Sequence, residues 1–345
     1  MCTELPAEKD FPAALKLKLE LVDSRGNDIA WNNDELAVLR KYAKVKHGFT
    51  REVLVPASMR LNTLNYMIQK LYGWQNSHLH SFALPREVFN AVTDNGSIAQ
   101  WQQLCGVLFR YPEEDEGDRY DGDDYDGTVS FKTWLRRKDT GAAYFFCFSD
   151  SYVKNQRLLV ADAAMWKKLA AEGITSLEPL GYMTDFGQPY DSLVECLTLG
   201  EVLCTSDRVP DMAAWLAETA EEVTAMQKQI LSPLDMQLAP LTDTLLYSYH
   251  YGDDWSVRVR CMEEYDGNDA EHPDAERLRN VVNAKMPVCL AAEGLCLLDD
   301  VGGVHGFVDM LRTLHGDDEV EAEEMRAWAR GMGWTGRMSR PENML

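Results

Sequence analysis

Leu245 to Glu263 reads LLYSYHYGDDWSVRVRCME, and this stretch decides the fold. Two runs of strand-type residues flank a polar knot, Gly252-Asp253-Asp254-Trp255. In the first run Leu245, Tyr247, Tyr249 and Tyr251 fall on one face, and Leu246, Ser248 and His250 on the other. In the second, Val257, Val259 and Cys261 alternate with Arg258, Arg260 and Met262. A period of two marks a strand with one buried face. Glycine and aspartate tolerate the dihedrals of tight turns, so the knot predicts a hairpin.

The same alternation recurs upstream. Ala14 to Val22 sets leucines against Lys16, Lys18 and Glu20, a half-buried strand. Phe49 to Val55 predicts a second strand, closed by Pro56, which lacks a ladder donor. Between them a short helix is expected at Asp34 to Ala43. Ser58 has the chemistry of a helix N-cap, and Leu61, Leu64, Met67, Ile68 and Leu71 follow at helical spacing up to Gly73. Another strand is expected late in Trp74 to Phe82, with His78, His80 and Phe82 on one face. Glu87 to Cys105 carries a weaker helical pattern, and Ala142 to Phe148 has the look of a buried strand.

Later helices are expected at Val160 to Glu172, at Leu197 to Leu203 with Thr198 capping, and at Asp211 to Leu231. Further ones are expected at Pro273 to Ala284, Phe307 to Leu314 and Glu319 to Arg330. Pro287 to Gly303 is expected to be a loop, and Arg337 to Leu345 a tail. The fold class is α+β: an antiparallel or mixed sheet with packed helices and a large central helical elaboration.

The 345 residues allow one large domain or two. A formal charge of −22 repels phosphates, so direct nucleic-acid binding is disfavoured. The eight cysteines, among them Cys147, Cys289 and Cys296, form no C-x-x-C pair. The opening MCTELPAEKD lacks a basic-then-apolar leader, and no window is long and apolar enough for a bilayer span. A cytoplasmic protein is expected, with no membrane attachment. The acidic run Tyr111 to Gly127 is expected to be a solvated loop. It departs from a calcium loop because position 122 is glycine and position 133 threonine.

Three blocks taken together resemble the Ri-plasmid open-reading-frame-three family, also called the insertion-element passenger family. The first runs from Val53-Leu54-Val55-Pro56 through Gly73-Trp74 to Ser77-His78-Leu79-His80-Ser81-Phe82. The second is Tyr247 to Trp255, and the third is Asp299-Asp300-Val301-Gly302-Gly303 with Gly306-Phe307 and Leu311. The resemblance implies an α+β protein of a bacterial or archaeal family found near plasmids and other mobile elements, without established activity. It implies a core over 14–314, made of blocks 14–82 and 245–314 around an elaboration at 85–244, then a C-terminal helix and tail at 315–345. This chain departs from the family pattern in having Thr50-Arg51-Glu52 at the second strand, Val257 where a histidine is usual, and Leu297-Leu298 where prolines are usual.

Those blocks supply a candidate polar site: His78, His80, Asp253, Asp254, Trp255, Asp299 and Asp300. Two functional readings follow. In the first, the chain is a binding or interaction module for a protein partner or small ligand of unknown identity, with no cofactor. The same residues then serve turns, caps and core. In the second, a metal-dependent hydrolase uses His78, His80, Asp253 and Asp254, the first three as ligands of a divalent metal whose bound water does the hydrolysis. No H-E-x-x-H, G-x-S-x-G or phosphate loop is present. Cys289 and Cys296 lie near His305 in sequence, as a cysteine nucleophile would require in space.

Overall fold

The computed structural model describes residues 12–104, 107–109, 167–168, 170–177, 191–195, 197–217, 240–250, 252–266 and 275–345. The acidic run 111–127, the apolar run 142–148 and most of the expected helices at 160–172 and 211–231 lie outside the described residues.

The leucine alternation of Ala14–Val22 (β1) places Leu15, Leu17 and Leu19 wholly in the core, with Leu21 close behind. β1 pairs on one side with Thr50–Pro56 (β2) and on the other with Trp255–Tyr265 (β5). Thr244–Tyr249 (β4) joins β5 as the expected hairpin, Tyr249 opposite Trp255. His80–Ala83 (β3) adds to β4, and Val288–Glu293 (β6) to β2. The result is a six-stranded sheet in the order β3-β4-β5-β1-β2-β6, antiparallel at each junction. The fold is α+β.

Period two also sorts side chains between two cores. Val53 and Val55 enter the main cluster with Leu64, Ile68, Phe307 and Leu311, while Leu54 joins a smaller cluster with Leu278 and Val281. Leu61–Tyr72 (α2) and Gly303–Leu314 (α7) thus share one apolar cluster, and Ala275–Ala284 (α6) contributes to the other. Other helices among the described residues are Asn33–Val38 (α1), Arg86–Val92 (α3), Ile98–Leu104 (α4), Leu199–Val202 (α5) and Glu319–Gly331 (α8), and residues 212–217 are helical too. A π-helical turn, Leu39–Ala43, prolongs α1.

Four expectations change. The N-cap of α2 is Arg60 and not Ser58. Carbonyls of the elaboration do the capping, since the N–H groups of Leu61 and Asn62 donate to Leu197 O and Glu195 O at 2.9 and 3.2 Å. Second, 288–293 is a strand and not part of a loop. VCLAAE is short and buries only Cys289, so pairing with β2 and not amphipathicity defines it. Third, β3 begins at His80, so His78 precedes the strand. Fourth, the tail packs back on the body, with Met344 in the main core.

Two local devices fix the loops that frame the junction of the three blocks. Arg51 is buried on β2, and its guanidinium donates to carbonyls of Leu71, Glu293 and Leu295 at 3.0, 2.6 and 3.1 Å while lying over the Tyr72 ring. It thereby joins the end of α2 to the chain leaving β6. Glu293 Oε1 accepts from the backbone N–H groups of Lys46, His47 and Gly48. Burial pushes the Glu293 pKa up, but these donors outweigh it and hold it below the ordinary carboxylate value.

The hairpin turn meets the loop before α7 without room to spare. Gly303 has φ +69°, and a Cβ there would lie 2.3 Å from Asp253 O. We expect Gly303→Ala to cost about 2–4 kcal/mol, through the strained dihedral and the clash together. Gly331→Ala, whose Cβ meets nothing within 4 Å, should change stability by less than about 1 kcal/mol in the same urea titration. For Glu293 the folded pKa is depressed, so its stabilisation is present above the unfolded value and lost as pH falls through the folded one. Glu293→Gln should therefore cost about 1 kcal/mol at neutral pH, the gap from wild type closing on acidification.

Candidate functional site

Gly73 closes α2 with φ +87°, and its missing side chain admits Cys296, whose Cβ would lie 2.7 Å from an added Cβ. The segment that follows, Trp74 to Leu79, runs between the hairpin and the loop at 295–300. The Gln75 N–H donates to Asp299 Oδ2 at 2.8 Å, the Ser77 N–H to Tyr249 Oη at 3.1 Å, and the His250 N–H to Leu79 O at 3.0 Å. Trp74 packs against Tyr72, Tyr249 and Trp255 at ring separations of 5.1, 5.2 and 5.4 Å. The three sequence blocks therefore converge in space.

Beneath this junction lies a buried polar network. Gln69 Nε2 donates to Tyr247 Oη at 2.7 Å, and that hydroxyl donates to Asn65 Oδ1 at 2.6 Å. Asn65 Nδ2 reaches Asn76 Oδ1 at 3.0 Å, and the Asn76 N–H returns to Gln69 Oε1 at 3.0 Å. All four residues are buried. A closed ring of this kind satisfies groups that would each be costly alone, and it fixes the left-handed Asn76 (φ 57°).

Asp299 is almost fully buried. Its Oδ2 accepts from the Gln75 N–H and from the Tyr249 hydroxyl at 3.1 Å, while Oδ1 finds no partner among the described residues. Burial raises its pKa above the ordinary value, against the pull of those donors. Burial and the adjacent Asp299 likewise push the Tyr249 phenol up. The indole N–H groups of Trp74 and Trp255 are also buried without an acceptor among the described residues.

At the rim, His78, His250 and Asp300 draw together. Their ligand-type atoms all lie within 4.8 Å of one another. Asp300 Oδ1 is 3.0 Å from His250 Nε2 and 3.2 Å from His78 Nε2, and the imidazole centroids are 3.7 Å apart. The hydrogen bond from His250 lowers the Asp300 pKa. Burial pulls His250 down, but Asp300 and Asp253 outweigh it and raise its pKa. Two of the three residues have left-handed backbones, His250 at φ 54° and Asp300 at φ 57°.

The expected grouping of His78, His80 and Asp253 is thus rearranged. His80 sits in β3 and faces Glu195 of the elaboration at 3.2 Å. Asp253 lies behind His250: its N–H donates to His250 Nδ1 at 2.9 Å, its Oδ1 is 3.7 Å from that nitrogen, and its Oδ2 accepts from the Gly302 N–H at 3.1 Å. Asp254 serves the turn through its positive φ and an N–H bonded to His250 O. Trp255 is core. Alternation alone puts His250 on the outward face of β4, so the sequence does not single it out. Its positive φ takes it out of the ladder instead. His305 bonds Glu35 at 2.7 Å, and the Cys289 thiol donates to Ala291 O with its pKa pushed up to about 11, so this pair forms no activated thiolate.

Beside the junction opens a cleft of about 640 Å³. Its walls come from Tyr66 and Lys70 of α2, the Trp74–Ser77 segment, Cys296, and the C-terminal stretch carrying Trp334 and Asn343. Gln75 Nε2 donates to Met332 O, and Trp334 Nε1 to Cys296 O, so the far wall is pinned to the near one. Among the described residues, no helix is long and apolar enough to cross a membrane.

No curated protein matches the chain. A solved protein of unknown function from Methanosarcina mazei Go1 resembles it over 96% of this chain and 98% of that chain, at 14% identity and a TM-score of 0.40. A family model described as plasmid pRiA4b ORF-3-like protein matches residues 41–164 and 210–339, most of the sequence. The chain belongs to the plasmid pRiA4b ORF-3-like family.

Proposed function

We propose that the protein is a binding module whose occupant is a small molecule seated in the cleft between the end of α2 and the C-terminal stretch. The cleft itself carries this reading. Its volume falls in the range of small-ligand sites, and its walls combine aromatic surface with amide and hydroxyl groups. Trp74 and Trp334 offer apolar faces, while Thr335, Ser339 and Asn343 bring polar groups that fix orientation. Pinning of the walls supports it too, because a preformed site loses less freedom on binding.

Binding is favoured over metal-dependent hydrolysis by one observation. The residues that wall the cleft include Ser77 but not its neighbour His78, nor His250 or Asp300. A hydrolytic water on those side chains would need a substrate pocket at their own corner.

A crystallographic fragment screen on the full chain tests the reading. Aromatic amide fragments should collect in this cleft against Trp74 or Trp334, and Trp334→Ala should remove them. Fragments bound elsewhere with the cleft left clear, or unchanged occupancy in Trp334→Ala, would contradict it.

A further inference from the structure

We infer that His78, His250 and Asp300 form a binding site for one divalent transition-metal ion, separate from the cleft. The ligand set is two imidazoles and one carboxylate, with donor atoms within 4.8 Å of one another. Two ligands each about 2.1 Å from a tetrahedral ion lie about 3.4 Å apart. Asp300 Oδ1 stands at 3.0 and 3.2 Å from the two Nε2 atoms, close to that spacing. Nitrogen-rich donors suit zinc, cobalt or nickel and disfavour magnesium and calcium, which take oxygen.

A second observation points the same way. His78 Nε2 is buried, and its approach to Asp300 Oδ1 at 3.2 Å falls short of a well-aligned hydrogen bond. The Asp300 side chain is 51% exposed, which leaves an approach from solvent and room for a further ligand.

Asp253 is the positioning residue. In the structure His250 Nδ1 accepts the Asp253 N–H, so the neutral ring carries its proton on Nε2, toward Asp300. Coordination through Nε2 needs that proton on Nδ1 instead. The Asp253 carboxylate Oδ1 lies 3.7 Å from Nδ1, on the side where a metal-bound ring needs a hydrogen-bond acceptor. Carboxylates behind a metal-bound histidine hold the ring in this way. The turn that recruits Asp253 is the one whose carbonyl touches Gly303, so the site and the packing share one element.

The test uses full-length protein, purified without an affinity tag and stripped with chelator, titrated with Zn²⁺ by calorimetry and with Co²⁺ by absorption. One ion per chain is expected. His78→Ala and Asp300→Asn should each weaken binding at least about tenfold, and Asp253→Asn about 10–100-fold with the Co²⁺ ligand-field bands retained. His47→Ala and His80→Ala should bind as wild type, since those rings face Glu293 and Glu195. Asp300→Asn keeps a residue that tolerates positive φ, so its folding, checked by thermal unfolding, should be intact. No saturable binding by the wild type would overturn the inference. So would undiminished binding in folded Asp300→Asn and His78→Ala.

Discussion

The carbonyl of Asp253 presses on a glycine. At Gly303 any side chain would collide with it, and this contact sets how the β4–β5 hairpin meets the start of α7. Several other features depend on that seating. Asp253 Oδ2 reaches the Gly302 N–H, Tyr249 reaches Asp299, and His250 reaches Asp300 only because turn and loop are in register. Gly306 repeats the demand one turn later, where a Cβ would fall 1.9 Å from Val301 O. Small residues here let backbone approach backbone, and the directional bonds follow from that approach.

The strands with a buried leucine or valine stripe were legible in the sequence, because burial of one face imposes period two directly. Gly73 and the Thr198 cap were legible for similar local reasons: Gly73 adopts φ +87°, and the Thr198–Glu201 capping box forms as its spacing implies. What escaped the sequence was nonlocal. β6 is defined by its ladder to β2, and α2 is capped by carbonyls more than a hundred residues downstream. His250 escaped because alternation predicts a face and not the dihedral that breaks the alternation. His78 falls outside the strand because β3 starts two residues later than the H-x-H pairing requires.

The three sequence blocks meet in space for a physical reason. Trp74, Tyr249, Asp299 and the glycines are tied to one another by burial and hydrogen bonds, so each constrains its neighbours whatever binds nearby. The side chains at the rim, His78, His250 and Asp300, are less committed to the core. The Trp74–His80 segment lines the amphipathic cleft with Trp74 to Ser77 and contributes His78 to the nitrogen-rich corner. The segment is held by the Gln69–Tyr247–Asn65–Asn76 ring, which gives both a rigid support.

The central claim is that the hairpin and the 299–303 loop form one cooperative junction. A double-mutant cycle on Tyr249→Phe and Asp299→Asn, read by urea unfolding, measures it most directly. The account predicts a coupling energy of about 1 kcal/mol or more, since the bond between these side chains is buried and each would leave the other short of a partner. Additive single effects, with coupling below about 0.3 kcal/mol, would contradict it.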